Sequence, residues 1–332
     1  MKKATNLVLP LAAAIFLTTT AVPAFAGLIS PLNIVGTFDA SILSDPNAAS
    51  IENTINTAIS FYNSTLTTAT AAPVTVSIDF QNMSSGLGQS STTIYGVDYQ
   101  SFVSALTAAS SGDLTDSTAL SVLPLGVNNP VTGTNLLGAK TAELKALGFD
   151  VPPGGYDGII GLNTSITNVN GGPYNLLSVV EHEMDEVLGL GSNLGQSFSA
   201  YPAPEDLFRY DASGNRSYTT DTSADAYFSL DGTNLLAQFD NQGDGGDWGD
   251  WQSNPRPSGV NPKVQDAFAT PNSTPSLTVS SPEIVALDAI GYNLATPEPA
   301  TFALCGAALL LAALSMWRRK FRTPVPVQSS EK

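Results

Sequence analysis

Cysteine and histidine are nearly absent from this chain: its 332 residues include one of each, Cys305 and His182. Cys305 lies in an apolar stretch near the C-terminus, so the body between the two ends has no thiol. That excludes a disulfide framework, a thiolate metal site and a cysteine nucleophile there. With a single imidazole, any transition-metal site in the body must be completed by carboxylates. Basic residues are scarce as well. Of 13 Lys and Arg, seven lie at the ends (Lys2, Lys3, Arg318, Arg319, Lys320, Arg322, Lys332), whereas 27 of the 29 Asp and Glu lie between them. The body therefore carries six basic and 27 acidic side chains, a formal −21. A surface so negative repels nucleic acid and anionic lipid and attracts cations, which sets nucleic-acid binding aside.

Long apolar runs occur only at the ends. Lys2-Lys3, a mostly apolar run from Leu7 to Leu17, and Ala24-Phe25-Ala26 have the order of a secretory signal peptide over residues 1–26, cleaved after Ala26. The run is well short of the ~20 residues a membrane span needs. At the other end, over 297–332, Pro297-Glu298-Pro299 precedes an uncharged stretch from Thr301 to Trp317 and then Arg318-Arg319-Lys320. As a helix, residues 301–317 would reach about 25 Å, adequate for a bilayer core of about 30 Å with Trp317 at the interface and Arg318 snorkelling. The basic cluster should stay cytoplasmic. This order resembles the PEP-CTERM sorting signal of Gram-negative bacteria. The resemblance implies recognition by an exosortase-type membrane protease, transient membrane anchoring through the tail, its removal, and export to the cell surface or extracellular matrix. The polar extension from Thr323 to Lys332 is longer than that pattern.

Between the ends, residues 27–296 are enough for one large domain or two lobes. Residues 46–66 place Ile51, Ile55, Ala58 and Phe61 at helical spacing, and 73–80 alternate as a strand, with Val74, Val76 and Ile78 on one face. Residues 99–110 read as a second helix, and 156–163 as a short buried strand. Asn175 can cap a helix over about 176–188, stopped by Gly189 and Gly191. Beyond it, 193–280 are rich in Gly, Asp, Asn, Ser and Pro, with a hairpin expected around Asp231-Gly232 in a tight primed turn. Ser281 and Pro282 open a last helix over 281–292. The expected fold is α+β: a sheet-and-helix lobe over 27–192 followed by a loop-rich lobe over 193–296.

The central signal is Glu181-His182-Glu183-Met184-Asp185-Glu186-Val187-Leu188-Gly189. His182 and Glu186 are four apart, so on a helix they sit about 40° from each other, one turn up the same face. Leu176, Val180, Met184 and Val187 cluster on the opposite side, and only Val179 breaks the pattern. Two ligands one turn apart can hold a metal ion, and the intervening Glu183 can take a proton from the water it activates. Four carboxylates fall within six residues, and Glu181 and Asp185 form an unfavourable like-charge pair that a bound cation would relieve. A solvated acidic helix face carrying a surface histidine is the competing reading.

The stretch resembles the active-site helix of the metzincin and matrixin peptidases, whose pattern is HExxHxxGxxH. His182, Glu183 and Gly189 are in register, Glu186 stands where the second histidine belongs, and Ser192 where the third ligand belongs. The strand at 156–163 is similar to the edge strand that precedes that helix. The resemblance is strongest over 156–192, and it implies a twisted sheet behind the helix, a peptide or protein substrate, and Zn²⁺ held by His182 and Glu186 with Glu183 as general base. No methionine follows Met184 before Met316, so the Met-turn is missing. Glu205 and Asp206 follow at a distance a loop can fold back, and Asp206 is the favoured third ligand. One imidazole and two carboxylates also suit Mn²⁺ or Fe²⁺. The acidic loop 240–251 adds Ca²⁺ as a further candidate cofactor, although Gln242 and Trp251 depart from a calcium-loop pattern. Trp248 and Trp251 read as anchors of the loop-rich lobe. Two functions follow: a secreted zinc-dependent metallopeptidase, or a non-catalytic surface or matrix protein on a similar scaffold, binding calcium through its acidic lobe.

Overall fold

The computed structural model describes residues 29–295. The signal peptide expected over 1–26 and the sorting tail expected over 297–332, with its apolar segment 301–317, lie outside the described residues. Among the described residues no helix is long and apolar enough to cross a membrane.

Strand β1 (Ser30–Phe38) buries Ser30, Leu32 and Ile34 and turns Pro31, Asn33 and Val35 outward. Asp39 caps the short helix α1 (Ala40–Leu43) by accepting from the amides of Ser41 and Ile42. Helix α2 (Ala48–Thr65) buries Ile51, Ile55, Ala58, Ile59 and Tyr62 along one stripe. Strands β2 (Leu66–Thr68), β3 (Val74–Asn82), β4 (Gly88–Thr92) and β5 (Ile94–Asp98) come next. Helices α3 (Tyr99–Ala109) and α4 (Leu114–Ser121) start at Asp98 and Asp113, whose carboxylates accept from the amides of Ser101 and Asp116. Strand β6 (Leu136–Lys140), helix α5 (Thr141–Ala146), strand β7 (Gly158–Leu162) and helix α6 (Leu176–Leu188) follow. The loop-rich span contributes three two-residue strands, β8 (Arg209–Tyr210), β9 (Tyr227–Phe228) and β10 (Ala237–Gln238). Helix α7 (Pro282–Ala289) and strand β11 (Asn293–Leu294) are the last elements of the described residues.

The fold is mixed α+β. Six strands form the main sheet in the order β11-β2-β1-β3-β7-β4. Strands β1, β3 and β7 are parallel, with Leu32 opposite Val74 and Ile78 opposite Gly158. Parallel neighbours need a crossover rather than a tight turn, and α1 and α2 supply it between β1 and β3. Strand β4 runs antiparallel to β7 at the edge. Helices α2 and α6 pack against the sheet and each other. At the far end, β11 pairs with β2, so the chain returns after the loop-rich span to the sheet where it began.

Two expectations change. The strand at 156–163, read from its residues as buried, is internal rather than the edge strand the resemblance implies: β7 is hydrogen-bonded to β3 on one side and β4 on the other. The tight turn at Asp231-Gly232 is replaced by an eight-residue connection, because Phe228 pairs with Ala237. Asp231 still shapes that connection, with Oδ1 accepting from the amides of Thr233 and Asn234. Its carboxylate does locally what a two-residue turn would have done through backbone alone.

Candidate metal centre

Helix α6 is fixed at both ends. Asn175 accepts from the amide of Ser178 at 3.0 Å. At the other end Lys140 Nζ donates to the carbonyls of Glu186 (2.7 Å) and Leu190 (2.5 Å), placing a cation on the negative end of the helix. Tyr292 donates to Leu188 O at 2.8 Å. Leu176, Val180, Met184 and Val187 are buried, as the wheel requires. Val179, the residue that broke the pattern, is buried under β4 beside the cleft.

The acidic side of the helix is not a solvated face. Glu181, Glu183 and Asp185 are buried. Tyr62 donates to Asp185 Oδ1 at 2.8 Å and to the Glu181 carbonyl at 2.9 Å. Burial, reinforced by the charge of Glu283, pushes the Glu181 carboxyl up to about 7 and that of Asp185 well above the ordinary range.

Three side chains converge: one ligand atom from each of His182, Glu186 and Asp250 lies within 4.8 Å of the others. His182 Nε2 is 3.8 Å from Glu186 Oε1 and 3.7 Å from Asp250 Oδ2. On each of the three, the atom facing away from the others is already engaged. His182 Nδ1 is 3.0 Å from the Val264 carbonyl, which fixes Nδ1 as a donor and turns Nε2 inward. Asp250 Oδ1 accepts from Gln265 Nε2 at 2.8 Å. Glu186 Oε2 accepts from Ser90 Oγ on β4 at 2.5 Å. Inward there remain one imidazole nitrogen and two carboxylate oxygens, a donor set that fits Zn²⁺, Mn²⁺ or Fe²⁺. Ca²⁺ takes six to eight oxygens and is poorly matched by it.

Glu183 sits beside this group. It lies against β4 at Gly88, where a methyl group would overlap its carboxylate oxygen. The glycine there is what lets the edge strand and the acid come so close. Burial pushes Glu183 well above the usual carboxylate range; His182 pulls it down, while Glu186 and Asp250 push it further up. Burial opposes charge on His182, but Asp250, Glu183 and Glu186, with the Val264 carbonyl, carry its pKa up to about 10. Burial likewise raises Asp250, against the pull of His182. A divalent ion held among these groups would favour the ionised carboxylates and the neutral imidazole.

Asp206, the third ligand favoured from sequence, is placed elsewhere. Its Oδ1 accepts from Ser192 Oγ at 2.5 Å, and its Oδ2 from the amides of Asn193 (3.1 Å) and Ala203 (2.8 Å). Glu205 accepts from the Gly191 amide at 2.5 Å. Both acids hold the turn that follows α6, and Ser192 is turned toward Asp206. The residue sequence reasoning passed over is Asp250. It belongs to the loop considered for calcium, and that loop sends Asp250 to His182 while Asp244 accepts from the Gly246 amide and Asn254. Among the described residues, His182, Glu186 and Asp250 are the one group of three or more such side chains that converges in this way.

The group opens into a cleft of about 620 Å³. It is lined by residues 86–90, which lead into β4, and by residues of the segments 245–250 and 263–270. No family model matches the chain, and neither a curated protein nor a solved structure matches it.

Proposed function

We propose that this chain is an exported metal-dependent peptidase, surface-sorted through its C-terminal tail, with His182, Glu186 and Asp250 as metal ligands and Glu183 as general base. The observation that supports it most is the outer hydrogen bond on every ligand, an arrangement that orients metal ligands and that an incidental acidic surface does not need. Zn²⁺ is the first candidate ion, with Mn²⁺ and Fe²⁺ as competitors. Once bound, the ion supplies Lewis acidity, polarising a carbonyl and lowering the pKa of water to about 7.

The residues supply the rest. Glu183, buried at the cleft wall beside the ligands, takes up the proton of the attacking water and passes it to the leaving amine. In the main sheet β4 is hydrogen-bonded on one side only, so its other side can pair with an extended peptide lying along the cleft. Ser90 links that strand to Glu186, so the substrate wall and a metal ligand are one unit.

The test is metal content by mass spectrometry for wild type, His182→Ala, Asp250→Ala and Asp206→Asn. About one transition metal per chain is expected in wild type and in Asp206→Asn, and none in the other two. Peptide hydrolysis should then fall by about 10²–10⁴-fold in Glu183→Gln, with the metal retained. Absence of metal from wild type after loading with each ion would overturn the reading. Bound metal without hydrolysis of any peptide in a mixed library would leave the non-catalytic surface protein.

A further inference from the structure

Glu283 lies on α7, buried with 1 % of its surface exposed, and it is not one of the converging ligands. Its Oε1 accepts two hydrogen bonds, from Trp251 Nε1 at 3.0 Å and from the Gln265 amide at 3.1 Å. Trp251 is the neighbour of the ligand Asp250, and Gln265 is the neighbour of Val264, whose carbonyl orients His182. The two segments also pair directly: the Trp251 amide donates to Gln265 O at 2.8 Å and the Ala267 amide to Trp251 O at 3.0 Å. Gln265 closes the circuit by donating from Nε2 to Asp250 Oδ1. An ionised carboxylate only accepts, so the amide must present its NH₂ there, leaving Asp250 Oδ2 to face His182.

A carboxylate is a costly group to bury, and the apolar residues of α7 already pack without it. Ile284, Ala286 and Leu287 are fully buried. What a carboxylate at 283 adds is one oxygen that two donors from different segments can share. We propose that Glu283 is a positioning residue of the metal centre: it sets the register between Trp251 and Gln265, and through Gln265 it aims the third ligand. This deepens the metal-centre reading and rests on it.

Co²⁺ binding by the full chain tests it, read both as the ligand-field absorption spectrum and as a dissociation constant by chelator competition. Glu283→Leu, which removes the shared acceptor, is expected to weaken Co²⁺ binding by about 10–100-fold and to change the absorption bands. Glu283→Gln keeps an acceptor oxygen and should restore affinity and spectrum to near wild type. Gln265→Leu keeps the backbone pairing, removes only the donor to Asp250, and should cost about tenfold. A role confined to stability would lower the melting temperature of the Leu variants while leaving the spectrum and affinity of the folded protein unchanged, and that result overturns the inference. Should Glu283→Leu fail to fold, wild-type affinity and spectrum in Gln265→Leu would overturn it equally. Wild type that takes up no Co²⁺, or His182→Ala that binds as wild type does, would overturn the metal-centre reading and this inference with it.

Discussion

The sheet-and-helix framework and the loop-rich span between residues 193 and 281 are held together by different chemistry. In the framework, backbone groups are paired by strand ladders and helices, and the main sheet packs on an apolar core that includes Leu32, Ile34, Ile55, Ile59, Val76, Ile78 and Phe80. In the loop-rich span the three strands have two residues each, so most backbone groups need side-chain or turn partners. Its interior is correspondingly polar. Arg209, Asp240, Asn241, Asp250, Gln265 and Asp266 are buried around a small aromatic cluster of Phe228, Phe239 and Trp251. An apolar interior tolerates repacking because its contacts are non-directional. A polar one fixes single atoms in place, which is what a metal ligand carried on a loop requires. The framework brings two ligands on one helix; the loop-rich span brings the third and the groups that orient it.

The largest expected effect tests the framework alone. Phe80 is fully buried at the end of β3, its ring centroid 6.0 Å from that of Phe38. Phe80→Ala should lower the free energy of unfolding by about 3–5 kcal/mol, measured by urea denaturation. Metal affinity of the molecules that remain folded should not change, because no ligand's hydrogen-bond partner is disturbed.

The next effect separates the two regions. Arg209 donates to the Trp248 carbonyl at 2.5 Å and to Asn241 Oδ1 at 3.2 Å, with its guanidinium 4.3 Å from the Phe239 ring centroid. Burial lowers its pKa to about 10, against the pull of Asp206, Glu205 and Asp240, so it stays charged at neutral pH. Arg209→Met keeps the bulk and removes the donors and the charge, at a cost of about 3 kcal/mol. Trp248 lies two residues before Asp250, so this variant, unlike Phe80→Ala, should also lose metal affinity. Equal losses of affinity in both variants would show that the two regions form one cooperative unit and would break the distinction.

The same difference decides what could be read from the sequence. Helices α2, α3 and α6 and strands β3 and β7 were legible because apolar periodicity is a property of neighbours in the chain. His182, Glu183 and Glu186 were legible because their spacing is helical. Strand β1 was not assigned, since its inward position 36 is a glycine, and the space is filled by Ile59 and Phe80 from elsewhere. Asp250 was not distinguished from Asp240, Asp244 and Asp247 within one Gly-rich stretch. What singles it out is the hydrogen bond from Gln265, which only tertiary structure supplies. Asp206 had the better sequence argument, being close to the helix. That closeness is what commits it to the turn after α6, where three donors take its oxygens.

The smallest expected effect asks whether single carboxylates in the loop-rich span act locally. Asp231 shapes the connection between β9 and β10 through the amides of Thr233 and Asn234 and through Asn234 Nδ2 at 2.8 Å. These bonds, from the Asn234 and Thr233 amides above all, hold its carboxyl far below the usual range. A depressed folded pKa contributes stability that is present above the unfolded value of about 3.9 and is lost as pH falls through the folded one. The group is largely solvated, so water screens most of that gain, and Asp231→Ala should cost about 1 kcal/mol at pH 7. The gap between wild type and variant should stay constant down to about pH 4 and narrow below it. Urea denaturation at pH 7, 4 and 2.5 measures that gap. A loss as large as that of Arg209→Met, or a weakened metal site in Asp231→Ala, would mean that the connection is coupled to the ligand loop. A small, acid-sensitive loss with the metal site intact places the boundary of the ligand-positioning network between strands β9 and β10 and the segment that carries Asp250.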